Sequence, residues 1–529
     1  MSNTVSSWLL HCAKSNVLYF RGHQRLYSRC CCQNRTAGKW KRARLLSSSS
    51  RNSTEQGVFI RRQVLRHSST KEVLHFQLSP GQINNILRAN EQAVKIPEFD
   101  GKGLSPVLRF ESNQLAANSP NEDRRSAATC LQTKGMMFGV FDGHGGHSCA
   151  QAVSERLFYY IAVALMSQKS LEEIEYAMEN MKPVLPILQW YKHPKDYNYR
   201  ESASLYVDHL RVFWQELLDN EHGQGLSTQD ALEYAFRRLD ADISLEAQVP
   251  LDNDLMKNTA IQVAFAGSTA CMAHVDSEGI HVANSGDSRA VLGVQEEDGS
   301  WASLPLSCDH NSLNLSELAR IKSQHPKLEE DTVVVDDRLL GLLMPFRAFG
   351  DVRFKWSKEL QQSVLENGYD LESLHIYPYM PPNYLTPPYL EVTPEVTYHK
   401  LRSKDKFLIL GSDGLWDMMS NDEAVRLVAE HLTGIHFQQP VSANDRQMKL
   451  GQMHNLLLKR RAKAAPSLDL NSATHLIRHA IGTNEYGEID QERLAAMLSL
   501  PEDLARMYRD DITIIVIYLN SSLIKPPEE

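Results

Sequence analysis

The chain has 529 residues, 42% of them hydrophobic and 23% charged, with 27 Gly and 22 Pro. This is the composition of a folded globular protein, not of a collagenous or disordered one. No apolar run reaches the roughly 18 residues that a bilayer-spanning helix needs. The formal net charge of −9 conceals an asymmetry: residues 1–70 hold thirteen of the 56 basic side chains and one acid, Glu55, so the remainder carries 43 basic against 64 acidic residues, net −21. That balance excludes general nucleic-acid binding, because phosphate backbones select basic faces.

In chain order, residues 1–70 combine scattered Lys and Arg, a serine run from Ser47 to Ser50 and the apolar pieces Trp8-Leu9-Leu10 and Val17-Leu18-Tyr19-Phe20. This is transit-peptide composition, with a processing neighbourhood near Arg66-His67-Ser68-Ser69-Thr70. A basic tail for nucleic acid or membrane is the alternative; the lack of acids beside serine runs favours import. Cys12, Cys30, Cys31 and Cys32 would leave with this segment. The remaining Cys130, Cys149, Cys271 and Cys308 have no metal-ligand spacing, which implies a reducing compartment without a disulfide framework. Residues 71–105 read as a lead-in and 106–525 as one domain, because the acidic sites described next must meet in space.

Four apolar, strand-like runs end on a carboxylate. Met136 to Phe141 stops at Asp142-Gly143-His144-Gly145-Gly146, and Ile280 to Ser285 at Gly286-Asp287-Ser288-Arg289. Lys406 to Ser412 stops at Asp413-Gly414-Leu415-Trp416-Asp417, while Asp510-Asp511 opens the run Ile512 to Tyr518. A single Asp-Gly is ordinary turn chemistry. Four carboxylates at the ends of such runs predict one site, where converging carboxylates repel unless cations separate them. Oxygen-only ligands favour Mg²⁺ or Mn²⁺ over zinc. Between these runs, Leu232, Ala235, Phe236, Leu239 and Ile243 share a helical face behind a Ser227/Asp230 cap, and Ser420 with Glu423 caps a helix carrying Val425, Leu427 and Val428. The prolines from Tyr377 to Tyr389 predict an extended surface loop. Residues 434–470 lead into Lys459-Arg460-Arg461-Ala462-Lys463, either the basic end of an amphipathic helix or a docking surface for an acidic partner domain.

With Glu122-Asp123 upstream, Gly267-Ser268-Thr269-Ala270 between and Arg347-Ala348-Phe349-Gly350-Asp351 after Asp287, the order of motifs resembles the metal-dependent serine/threonine phosphatases of type 2C, from about Asn113 to Tyr518. The resemblance implies an α+β fold, a sandwich of two antiparallel β-sheets flanked by α-helices, with helical and loop insertions near 166–260, 355–390 and 434–470. It implies two Mg²⁺ or Mn²⁺ ions bridged by Asp142, the carbonyl of Gly143 on one ion, Asp413 and Asp510 on the other, and Glu122 and Asp123 positioning waters. Asp287 and Asp417 would form part of a weaker third site. His144 would protonate the leaving serine oxygen, with His147 as competitor. Asn118 stands on the substrate side, where the family usually carries a phosphate-gripping arginine.

The segments Ser112 to Asn118, Ala150 to Tyr160 and Leu504 to Asp511 look like the mitochondrial branch of that family, which acts on the pyruvate dehydrogenase complex. This implies a location in the mitochondrial matrix and the phosphorylated pyruvate dehydrogenase alpha subunit as substrate. It also implies docking to a lipoyl-bearing domain of the multienzyme core, and a regulatory subunit. A matrix phosphatase with other phosphoprotein substrates and a catalytically inactive pseudophosphatase scaffold are the competing readings. No EF-hand loop is present.

Overall fold

The computed structural model describes residues 78–98, 104–196, 203–219, 226–249, 254–366, 380–381, 383–434, 469–484 and 487–521. The transit-like residues 1–70 and the basic cluster at 459–463 lie outside the described residues. From the amino end come α1 (Pro80–Arg88), β1 (Gln92–Lys95), β2 (Val107–Leu115), β3 (Arg124–Cys130), β4 (Met136–Phe141), β5 (Gly143–His144), α2 (Ser148–Ala164), α3 (Gln168–Glu179) and β6 (Leu188–Trp190). Next are α4 (Ala203–Asp219), α5 (Thr228–Gln248), α6 (Asp254–Phe265), β7 (Gly267–Ser268), β8 (Ala270–Val275), β9 (Gly279–Ser285), β10 (Arg289–Gln295) and β11 (Trp301–Pro305). Then follow α7 (Leu315–Gln324), β12 (Val334–Val335), β13 (Arg338–Leu339), β14 (Phe349–Gly350), α8 (Lys358–Leu365), β15 (Glu395–Lys400) and β16 (Asp405–Gly411). The last elements are α9 (Asp413–Trp416), α10 (Asn421–Thr433), α11 (Ser472–Gly482), α12 (Gln491–Leu498), α13 (Glu502–Ala505) and β17 (Ile512–Leu519).

Two six-stranded sheets dominate, ordered β1-β2-β17-β16-β10-β11 and β15-β9-β8-β4-β3-β6, with antiparallel pairing throughout. The inner strands β4, β8 and β17 are buried at every position and read as nearly unbroken apolar runs because both faces are covered. Met136, Phe138 and Val140 of β4 share one core with Leu408, Leu410, Ile515 and Ile517 from the other sheet. The intervening Met137 and Phe141 join the core formed with α2 and α5. On the opposite sheet, Phe407, Ile409, Ile514 and Val516 join α10, α11 and α12. The arrangement is helices, sheet, sheet, helices: the α+β sandwich expected.

Both capped helices form as read. Ser227 Oγ accepts from the Asp230 amide at 3.1 Å, and Leu232, Ala235, Phe236, Leu239 and Ile243 are all buried. Ser420 Oγ accepts from the Glu423 amide at 3.2 Å at the head of α10, where Val425, Leu427 and Val428 are buried. A polar network ties the inserted helices to α2. Arg156 donates two bonds to Glu246 at 2.9 and 2.5 Å, His209 of α4 lies 2.6 Å from the same carboxylate, and Tyr160 Oη donates to Asp242 at 2.6 Å. The charges survive burial because they are paired.

The segment 383–389 contains no helix or strand, as its prolines require, and runs along the surface with Asn383, Leu385, Thr386 and Pro388 exposed, but two tyrosines anchor it. Tyr384 and Tyr389 are buried, in a small core with Phe346, Phe354 and Leu390. Their hydroxyls have partners, the carbonyl of Trp356 at 2.6 Å for Tyr384 and the Glu329 carboxylate for Tyr389, and this lets the rings bury their area without an orphaned O–H. Prolines report backbone geometry; they say nothing about what covers the side chains between them. None of Cys130, Cys149, Cys271 and Cys308 is in a disulfide. Among the described residues no helix is long and apolar enough to cross a membrane.

Candidate metal centre

Strand register assembles the centre. In one sheet Gly411 pairs with Arg289 and with Ile514, and Ile512 pairs with Leu115. In the other, Phe141 pairs with Arg124, Val140 with Cys271, and Ala270 with Ser285. The residues just past these pairs, Asp142, Asp287, Asp413 and Asp510, therefore leave the two sheets at a common edge. Carboxylate oxygens of Asp142, Asp287 and Asp413 lie within 4.8 Å of one another. Burial, then the neighbouring Asp413, pushes the carboxyls of Asp142 and Asp287 well above the usual range. Asp413 is raised to about 6 by burial and by Asp510, and Asp417 is raised by burial and by the same neighbour. Asp510 itself is exposed. Asp287 thus shares the innermost cluster with Asp142 and Asp413, while Asp510 acts on Asp413 and Asp417 through its charge.

Glu122 and Asp123 complete the wall. Glu122 Oε1 accepts from the Gly146 amide at 2.7 Å; Glu122 Oε2 and Asp123 Oδ2 are buried without a hydrogen-bond partner. Burial raises Asp123 well above the usual carboxylate range, Asp511 and Asp413 adding to the rise, while the hydroxyls of Thr513 and Ser412 oppose it. Orphaned carboxylate oxygens beside a cluster of mutually repelling carboxylates fit hard divalent cations and their water. Gly143 has its own steric reason: a Cβ there would lie 2.4 Å from the Glu122 carbonyl oxygen. Only glycine lets the two segments touch.

Asp511, next to Asp510, has a different task. It accepts from the amides of Ala117 at 2.5 Å, Asn118 at 2.9 Å and Glu122 at 2.8 Å, so it folds the loop that presents Glu122. The Asn118 side chain joins the same knot, its Nδ2 lying 3.0 Å from Asp511 Oδ2 and 3.5 Å from Asp510 Oδ1.

Of the two histidines, His144 has an orienting carboxylate. Its Nε2 lies 2.5 Å from Asp351 Oδ2. Burial alone would lower its pKa; the charge and hydrogen bond of Asp351 outweigh that and raise it. A Cβ at residue 267 would fall 2.0 Å from His144 Nε2 and 2.2 Å from Asp351 Oδ2, which accounts for glycine there. His147 instead occupies the N-cap position of α2, its pKa lowered by burial and by Arg124. Reading the sequence found the motifs ending at Asp351 and Asp511 and left both residues without a role. The signal available was their acidic character inside segments already tied to the site.

A carboxylate-rich divalent-cation centre at the edge of an antiparallel β-sandwich defines a class of metal-dependent hydrolase, and relatives place the chain within it. Residues 196–452 match the family model described as Protein phosphatase 2C. The chain is 58% identical over 527 residues, 99% of each chain, to human [pyruvate dehydrogenase [acetyl-transferring]]-phosphatase 2, mitochondrial. It is also 58% identical over 463 residues, 87% of this chain and 86% of the other, to the human mitochondrial phosphatase 1 of the same name. A protein phosphatase 2C homolog of Schizosaccharomyces pombe is 30% identical over 80% of this chain and 87% of its own length. The chain belongs to the type 2C protein phosphatase family, whose members are protein serine/threonine phosphatases dependent on Mg²⁺ or Mn²⁺.

Proposed function

We propose that this chain is the mitochondrial-matrix phosphatase that removes phosphate from serine on the alpha subunit of the pyruvate dehydrogenase complex and so reactivates it. The observation that carries this reading is 58% identity along 99% of the chain to a phosphatase named for that substrate, the second of two isoforms. Residues 1–70 serve as the transit peptide, 71–105 as the lead-in and 106–525 as the catalytic domain. A lipoyl-bearing domain of the multienzyme core is the docking partner, and a regulatory subunit is a further one.

In this reading Asp142 would hold two cations, with the Gly143 carbonyl a ligand for one and Asp413 and Asp510 ligands for the other. Glu122 and Asp123 would position water, while Asp287 and Asp417 would contribute to a third, weaker position. Bound divalent cations supply positive charge against the phosphoryl oxygens and make a water acidic enough to attack in line. With Nε2 held by Asp351, His144 has Nδ1 left to hand a proton to the departing serine oxygen, which leaves poorly as an alkoxide. Asn118 holds the acidic end of β17 on the substrate side.

The test is turnover of the phosphorylated alpha subunit beside an unrelated phosphoprotein, with and without Mg²⁺. Mg²⁺-dependent turnover favouring the alpha subunit is expected. Equal rates on both would replace this reading with a matrix phosphatase of broader substrate range, and no Mg²⁺-dependent turnover would leave a scaffold.

A further inference from the structure

The cleft presents negative charge from both sheets: Asp142, Asp287 and Asp413 at its centre, with Glu122, Asp417 and Asp510 around them. A phosphoserine dianion entering it gains from a protein cation that can reach the phosphate oxygens. Asn118 cannot supply that charge, and its amide is already engaged by Asp511 and Asp510. Four nearby arginines are either held by several hydrogen bonds, as Arg124 and Arg289 are, or buried, as Arg125 and Arg509 are. Arg124 donates to the carbonyls of Asn121 and Asp123 at 2.7 Å each and to Gln151 at 2.5 Å. Arg125 is buried and donates to the Asn90 carbonyl at 2.7 Å. Arg509 is buried against the Ala116 carbonyl at 2.6 Å. Arg289 is gripped by both oxygens of Asp309, at 3.0 and 2.6 Å, and by Asn421 at 2.7 Å.

Arg506 differs from all of these. Its Nη1 lies 3.6 Å from Glu122 Oε2, beyond hydrogen-bond length, and its side chain is 58% exposed. The backbone beneath it is fixed: Ala505 is buried, its amide bonds the Pro501 carbonyl at 2.9 Å, and the Arg509 amide bonds the Ala505 carbonyl at 3.1 Å. A loosely held guanidinium on a fixed turn, beside a wall residue of the metal centre, can swing onto a ligand at little cost. We propose that Arg506 grips the substrate phosphate, supplying from the carboxy-terminal side of the cleft the cation that position 118 lacks. This rests on the phosphatase reading above.

The test compares the parent chain with Arg506→Gln, Arg506→Lys and Arg506→Gln combined with Asn118→Arg. It measures KM and kcat on a phosphoserine peptide, inhibition by inorganic phosphate, and calorimetric binding of the same peptide carrying a non-hydrolysable phosphonate, all at saturating Mg²⁺. Losing a charge-assisted contact should weaken KM, phosphate inhibition and phosphonate binding each about tenfold in Arg506→Gln. The melting temperature and the Mg²⁺ concentration for half-maximal thermal stabilisation should stay constant. Lysine should restore part of the loss, and Asn118→Arg should restore more. Unchanged KM and phosphonate affinity would overturn the assignment. A change confined to the Mg²⁺ requirement would also overturn it, making Arg506 a counter-ion of Glu122 alone. The parent's Mg²⁺-dependent turnover decides the phosphatase reading, whereas the ratio of variant to parent phosphonate affinity decides the role of Arg506.

Discussion

Asp142 is subject to opposite energies in two states of the same protein. Without cations it is packed among Asp413, Asp123 and Asp287, all of which disfavour its charge; on the proposed assignment its carboxylate would hold the cations when they bind. Asp142→Asn should therefore raise the melting temperature of the metal-free protein, abolish most of its stabilisation by Mg²⁺, and lower turnover at least about a hundredfold. Melting curves with and without Mg²⁺, beside rates, check all three, and a near-normal rate at saturating Mg²⁺ would remove Asp142 from the centre. His144 and Asp351 act as a pair, so His144→Ala and Asp351→Asn should each slow phosphoserine hydrolysis more than aryl phosphate hydrolysis, because a phenolate leaves without full protonation. Equal losses on both substrates would make the pair structural. Asp142, Asp287 and Asp413 were legible in the sequence because each ends an apolar run. The role of Asp351 was not, since its partner is 207 residues away and nothing local marks a carboxylate that orients a distant imidazole.

The strands carrying those carboxylates were legible for a related reason: a run buried on both faces is apolar at every position, and β4, β9, β16 and β17 fall where the runs do. The anchoring of segment 383–389 by Tyr384 and Tyr389 escaped, because their hydroxyls are satisfied by partners that only the fold brings near. Motif Arg347 to Asp351 shows how one element is held in place to serve another. Arg347 donates to Glu317 of α7 and to the Thr393 carbonyl at 2.6 Å, while Arg320 of α7 donates to Glu317 at 3.0 and 2.7 Å. Burial opposes the Glu317 charge, but the two arginines win and hold its pKa down at about 2, from 4.5. A depressed carboxyl stabilises the fold above its unfolded value and loses that contribution as pH falls through the folded one, here between 4.5 and about 2. By linkage the contribution is on the order of 3 kcal/mol at neutral pH. Glu317→Gln should melt well below the parent at pH 7, and the gap between the two melting temperatures should narrow steadily below pH 4.5. A gap independent of pH would mean that the glutamine costs packing and not charge.

Across the whole molecule, charge is divided as the proposed address and working part would require. Residues 1–70 carry thirteen basic side chains and one acid, while the remainder is net −21. An inside-negative membrane potential draws positive charge inward at roughly 2.3 kcal/mol per charge per 100 mV, so the basic segment is pulled toward the matrix and the acidic remainder is opposed. On the proposed assignment the remainder also needs its negative charge, because the carboxylates gathered at the sheet edge belong to it. Address and centre therefore have opposite requirements and are best met in separate stretches of chain, which a removable leader allows. Residues 1–70 fused to a fluorescent protein should carry it into the matrix, and residues 71–529 with the same label should stay outside. Imaging against a matrix marker, with and without an uncoupler that collapses the potential, reads both arms. Matrix fluorescence from 71–529, or import of the 1–70 fusion that survives the uncoupler unchanged, would show that the address does not work through its charge.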